Sequence, residues 1–136
     1  MEGTPIDIYN FGKMQRDFTY VVDLAKSIRL LIDAVPVRPA DSSEIAEHDS
    51  LSAVAPFRIV NIGNSKKIQL LDFISAIEKA TGKEAVRNYM EIQAGDVSAT
   101  WASSELLKSL TGYSPDTDIE QGMAQFVDWY RSFYNV

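Results

Sequence analysis

The chain reads as a small α+β domain of short strands and about four helices. Three observations predict this. Period-two stretches are brief, and apolar residues recur at helical spacing in four separate segments. The 136 residues, 46% hydrophobic and 24% charged, have the make-up of one ordinary globular domain, 1–136. A chain of that length buries a core without staples.

Ile6-Asp7-Ile8-Tyr9-Asn10 alternates and predicts a first strand, broken by Gly12. Val21, Leu24, Ala25, Ile28, Leu31, Ile32 and Val35 then recur every three to four residues, an amphipathic helix that must end before Pro36. Lys26, Arg29 and Asp33 form its expected solvated side. Residues 36–56 are dominated by Pro, Ser, Ala, Asp and Glu without a period, which predicts a long, mobile surface loop. Phe57-Arg58-Ile59-Val60-Asn61-Ile62 is the clearest strand, closed by Gly63-Asn64. Leu70, Leu71, Ile74, Ile77 and Ala80 mark a second helix, with Gly82 suited to its left-handed cap.

Residues 85–90 predict another short strand, and Gly95-Asp96 a turn. Ser103 or Ser104 caps a short helix that runs to Leu110 and stops at Gly112. Thr117-Asp118-Ile119-Glu120 reads as a capping box for the last helix. Its apolar face is Ile119, Met123, Phe126, Val127 and Tyr130. The aromatic run from Trp129 to Tyr134 suggests core packing or docking against something large.

Composition removes several functions. Cysteine is absent, so disulfides, thiolate metal sites and a catalytic Cys are excluded, and the single His48 all but removes histidine-based zinc sites. A net charge of −6 argues against nucleic-acid binding. No apolar run approaches the roughly 20 residues of a membrane span. The start, Met1-Glu2-Gly3-Thr4-Pro5, lacks the basic and apolar regions of a signal peptide, so a cytoplasmic location is expected. The seven glycines never lie closer than Gly3 and Gly12, which rules out a G-x-G-x-x-G turn or a Walker A loop.

Two constellations carry candidate chemistry. Arg16 follows a glycine turn and precedes a helix, where its fork could hold a diphosphate or carboxylate; equally, it could pair locally with Asp17. Asp96, on the Gln93-Ala94-Gly95-Asp96 turn, could accept both hydroxyls of a ribose, or simply shape the turn. Tyr9 and Lys13 have the spacing of a Tyr-x-x-x-Lys catalytic pair, but that pair needs a helix and Gly12 intervenes. No catalytic residue is assigned, and His48 is given no role.

Four segments together resemble a known family. Gly12-Lys13-Met14-Gln15-Arg16-Asp17-Phe18-Thr19-Tyr20-Val21-Val22-Asp23 is similar to the G-x-x-x-R-D-[FY]-x-x-V-x-D stretch of the extended short-chain dehydrogenase/reductases that act on nucleotide sugars. Asn61-Ile62-Gly63-Asn64 resembles their N-[IL]-G-[NS] strand end, and Gln93 to Ala102 their [QR]-x-G-D-[VL]-x-x-T-[YW]-A segment. Gly112-Tyr113-Ser114-Pro115 and the run from Gly122 to Arg131 resemble the family's ending. Within it, Lys13-Met14 and Phe126-Val127-Asp128-Trp129-Tyr130 are most similar to the UDP-glucuronate 4-epimerase branch.

The resemblance implies the C-terminal, substrate-binding part of an NAD-dependent epimerase, with the Rossmann domain and its Tyr-x-x-x-Lys pair outside this chain. It implies that Arg16 contacts the nucleotide diphosphate and Asp96 the ribose, and that Ile8 and Tyr9 line the uracil pocket. Gln93 stands where several relatives have a second phosphate-binding arginine. NAD is expected in a full-length protein and not in this chain, which is therefore expected to be inactive alone. The expected partners are a UDP-sugar (UDP-glucuronate or UDP-galacturonate), bound weakly in isolation, and the missing Rossmann domain; nucleic acid and membrane are not expected. A 4,6-dehydratase or decarboxylase of the same superfamily, or a stand-alone non-catalytic interaction module, are the alternatives.

Overall fold

A computed structural model describes residues 3–136; Met1 and Glu2, which open the segment read above for a signal peptide, lie outside the described residues. In chain order the elements are β1 (Ile6–Ile8), β2 (Gln15–Arg16), α1 (Val21–Asp33), β3 (Ile68–Gln69), α2 (Leu70–Thr81), β4 (Arg87–Tyr89), β5 (Ala99–Thr100), α3 (Glu105–Thr111) and α4 (Ile119–Tyr134). Short 3-10 turns occupy Tyr9–Gly12 and Ser42–Glu44. The four helices are those the periodicities predict, and the strands are few and short. Two compact units hold these elements: the residues up to Phe18 with Lys66–Trp101 and Thr117–Val136, and Thr19–Ser65 with Ala102–Asp116.

In the first unit β1 pairs in parallel with β4, Ile8 opposite Tyr89. A second sheet has the order β3-β2-β5, with β2 antiparallel to β3 and parallel to β5. Helices α2 and α4 pack together beside these strands. The core holds Ile8, Met14, Ile74, Ala76 and Val127, all nearly closed to water. Phe18 and Phe73 stack with centroids 4.0 Å apart, within 3° of coplanar. Gly82 closes α2 at φ 70°, as its sequence position predicts. The cap of α4 differs from the expected box. Asp118, not Thr117, is the N-cap, and its carboxylate accepts from Glu120 N–H at 2.9 Å. The shorter Asp118 side chain, one position nearer the helix, reaches the orphan donor first.

The second unit inverts the expectation for α1. Its buried residues are Asp23 and Ser27, whereas Val21, Leu24, Ile28, Ile32 and Val35 are exposed. Ser27 Oγ donates to Asp23 O at 2.8 Å, and Asp23 Oδ1 accepts from the Tyr113 hydroxyl at 2.7 Å. These bonds fix α1 to the loop after α3, whose Leu107 is fully buried. The apolar stripe was read correctly as a stripe, but in this chain it faces solvent rather than a core.

Tyr113 carries a pH dependence. Burial, then the hydrogen bond to the Asp23 carboxylate, push its hydroxyl up to about 12 from 10.0. The folded state favours the protonated phenol, so this contribution is complete below pH 10 and is lost as pH rises to about 12. Urea unfolding is expected to show a steeper alkaline loss of stability in the wild type than in Tyr113→Phe. Parallel curves through that range would mean that the phenol is not the titrating group.

Residues 57–62 are not a strand. The segment alternates as a strand should, but no ladder partner lies beside it among the described residues, and Phe57 and Ile59 are exposed. Ile59 N–H instead donates to Ser50 Oγ at 3.0 Å, and the same hydroxyl donates to Ile59 O. The Arg58 guanidinium grips both oxygens of Asp49 at 2.7 and 2.8 Å, which holds the Asp49 carboxyl below its usual range. The end of the predicted 36–56 loop is therefore tied to the segment that follows. Limited proteolysis is expected to cut within 36–47 first, and to spread to 49–57 in Arg58→Ala. First cleavage beyond Asp49 in the wild type would contradict this. The first strand also ends early: Tyr9 and Asn10 leave the extended conformation for the turn that carries Gly12.

Candidate functional site

Arg16 occupies the central strand of the three-stranded sheet, opposite Ile68 on one side and Thr100 on the other. That placement leaves its side chain about a quarter exposed. One terminal nitrogen donates to Gln15 O at 2.9 Å, which aims the guanidinium along the sheet. The other donates to Asp96 Oδ1 at 3.0 Å, across 80 positions of sequence.

Asp96 stands on a turn closed by its own N–H to Gln93 O at 3.1 Å, with Gly95 at φ 85°. Its Oδ1 also accepts from Val97 N–H at 2.8 Å. Both bonds fall on one oxygen, so Oδ2 is turned toward solvent with no hydrogen bond among the described residues. The two residues that sequence singled out separately thus form one half-exposed ion pair. Such a pair presents a planar cationic fork and a carboxylate oxygen side by side, donors for a phosphate and an acceptor for hydroxyls.

The other candidates are placed differently. Ile8 is 1% exposed, so its side chain is core, and its carbonyl accepts from Met90 N–H at 2.9 Å. Tyr9 is half-buried in the turn after β1. Gln93 is exposed and contributes its carbonyl to the Asp96 turn. Lys67 lies over the Trp101 ring, 3.2 Å from its centroid. Both follow the register positions that flank Arg16 by one residue, so strand alternation sends them to the other face of the sheet. The backbone signal that sequence reading missed is at Asn10, Phe11 and Gly12, three consecutive residues at positive φ. Only the glycine is legible as such in a sequence.

An open apolar cleft of about 360 Å³ is lined by Phe73, Ile77, Met123, Phe126, Val127 and Tyr130, none of which could hold a phosphate. Among the described residues no three His, Asp or Glu converge on a metal position. The residues present do not fit a dinucleotide cradle either: α1 and α2 open from Tyr20 and Gln69, and neither follows a glycine-rich turn.

No family model matches the chain. Comparison with individual proteins is informative. The chain is 44% identical over 135 residues to a Rhizobium meliloti protein named "Probable UDP-glucuronate 4-epimerase", covering 97% of this chain and 39% of that one. It superposes on the crystal structure of UDP-glucuronic acid 4-epimerase from Bacillus cereus in complex with UDP-glucuronic acid and NAD. There the TM-score is 0.73 at 26% identity, over 98% of this chain and 37% of the other. The chain matches the C-terminal part of the UDP-glucuronate 4-epimerases. It spans about 40% of the length of the curated relatives it matches. UDP-glucose 4-epimerase from Bifidobacterium longum, at 22% identity and a TM-score of 0.76 over 97% of the chain, shares the fold. The α+β architecture with four helices is therefore that of the small C-terminal portion of NAD-dependent epimerases.

Proposed function

We propose that this chain is the nucleotide-holding part of a UDP-sugar epimerase, with UDP-glucuronate and UDP-galacturonate as the substrate pair. The observation that carries the reading is the Arg16–Asp96 pair: a guanidinium for the diphosphate beside a carboxylate for the ribose, on a rigid sheet and a tight turn. The relatives' names and the UDP-glucuronic acid bound in the Bacillus cereus enzyme support the choice of sugar. In this reading NAD is held by a Rossmann domain outside the chain and supplies reversible oxidation at the sugar. The chain's own residues anchor the nucleotide, so that remote binding energy orients the sugar for chemistry elsewhere.

The exposed apolar stripe of α1 and the unladdered 57–62 segment support a partner of that kind, because both are built to be covered. Purified full chain is expected to convert no UDP-glucuronate to UDP-galacturonate and to carry no stoichiometric NAD. Its amide NMR signals near Arg16 and Asp96 are expected to move on titration with UDP. Turnover by the chain alone would overturn the division of labour. UDP-induced shifts confined to other regions would overturn the site.

A further inference from the structure

Asn10, Phe11 and Gly12 stand in succession at φ 50°, 52° and 78°. Glycine takes this region freely and asparagine tolerates it, but a phenylalanine there is strained. Surrounding bonds hold it in place. Asn10 Nδ2 donates to Lys13 O at 2.9 Å, Lys13 N–H to Asn10 O at 2.8 Å, and Phe11 N–H to Met90 O at 3.0 Å. The result is an aromatic ring 51% exposed, which stacks on no other ring among the described residues. The core gains little from it. Strain that displays an apolar ring to water has a use only if something meets the ring.

The neighbourhood says what that is. Phe11 is tied to Met90, and Arg16 to Asp96. Only residues 12–15 lie between these cross-links on one strand and 91–95 on the other, so Phe11 stands within about 17 Å of Arg16 along the backbone. Tyr89, Met90 and Ile92, on the segment that leads to Asp96, are also apolar and exposed. Arg16 and Asp96 suit the charged and hydroxylated parts of a nucleoside diphosphate. What remains of such a ligand is a flat base, whose faces gain most from stacking on an aromatic side chain.

We infer that Phe11 is a stacking face for the base of the nucleotide held at Arg16 and Asp96, a second wall beside Tyr9; this rests on the function proposed above. The test is NMR titration of the full chain with UDP and, separately, with inorganic pyrophosphate. Wild type, Phe11→Asn, Phe11→Gly and Arg16→Ala are compared. Asparagine and glycine suit the positive φ, so both Phe11 variants keep the turn, and their thermal midpoints are expected to equal or exceed the wild-type value. UDP binding is expected to weaken about tenfold in both, within the range that base–aromatic stacking supplies. Pyrophosphate binding stays unchanged, and in the wild type UDP alone shifts the Phe11 ring protons upfield. Unchanged UDP affinity in both Phe11 variants, with loss in Arg16→Ala, overturns this inference and leaves the Arg16–Asp96 site standing. Equal loss of UDP and pyrophosphate in the Phe11 variants overturns it too, because the turn then only shapes the sheet. UDP binding absent, or undiminished in Arg16→Ala, removes the underlying reading and the inference with it.

Discussion

Gly12→Ala is expected to destabilise the chain by about 3 kcal/mol, the largest single-residue effect on folding that this structure predicts. Two costs combine. At φ 78° any L side chain is strained by roughly 1–2 kcal/mol. A Cβ there would also sit 2.6 Å from Leu71 Cδ2 and 2.7 Å from Leu71 Cγ, closer than carbon atoms pack. Leu71 lies in the first turn of α2, next to Leu70, whose N–H donates to Met14 O at 2.8 Å. The clash therefore pushes directly on the junction between the turn and the strand that bears Arg16. Gly112→Ala provides the comparison. Gly112 has φ 70° but nothing within 4 Å of its virtual Cβ, so it carries the conformational cost alone. Urea unfolding of both variants isolates the steric part as their difference, expected at about 2 kcal/mol. Equal losses in the two would mean that Leu71 moves aside freely.

Local chemistry made much of this fold legible. Leu70–Thr81 was readable because a 3.6-residue period and a terminal Gly82 agree, and both are encoded within a dozen residues. The α1 stripe was readable as well, but its fate was not: periodicity says that a face is apolar, not that this chain supplies its cover. The same holds for residues 57–62, whose alternation specifies an extended backbone while a ladder needs a second strand that the described residues do not provide. Misplacing the α4 cap was a smaller matter, since Thr117 and Asp118 are both good caps and only geometry chooses between them. At the site, Arg16 and Asp96 were each singled out, yet their pairing across 80 positions was invisible. It arises from the parallel register of β2 with β5, Arg16 opposite Thr100, which brings the turn before β5 alongside the guanidinium. Phe11 was missed because nothing in the word Asn-Phe-Gly announces a left-handed phenylalanine; the strain is imposed by the bonds to Lys13 and Met90.

Arg16→Ala is expected to reduce UDP binding at least tenfold while leaving the fold intact, and in the isolated chain that takes binding below detection. The starting affinity is low. A net charge of −6 opposes an anionic ligand at long range, and the chain spans only about 40% of its curated relatives, so much of a closed cleft is missing. Binding in the millimolar range is expected for the wild type. Against that, one charge-assisted hydrogen bond to a phosphate contributes about 1.5–3 kcal/mol, so its removal alone exceeds a factor of ten. A second effect acts in the same direction: without the guanidinium, the Asp96 carboxylate faces the diphosphate unneutralised. Asp96→Asn should therefore weaken binding less than Arg16→Ala, since it loses a ribose acceptor but frees the Arg16 donor now given to Oδ1. Folding is a separate readout. The pair is half-exposed and contributes no more than about 1 kcal/mol, so thermal midpoints should stay close to the wild-type value. Lys67→Ala is the control for charge alone, because its ammonium is spent on the Trp101 ring on the other face of the sheet, and it should bind UDP as the wild type does. NMR titration of the four proteins decides the matter. Identical UDP-induced shifts in wild type and Arg16→Ala would make the Arg16–Asp96 pair a structural clasp. Equal losses in Arg16→Ala and Lys67→Ala would reduce the site to diffuse electrostatic attraction.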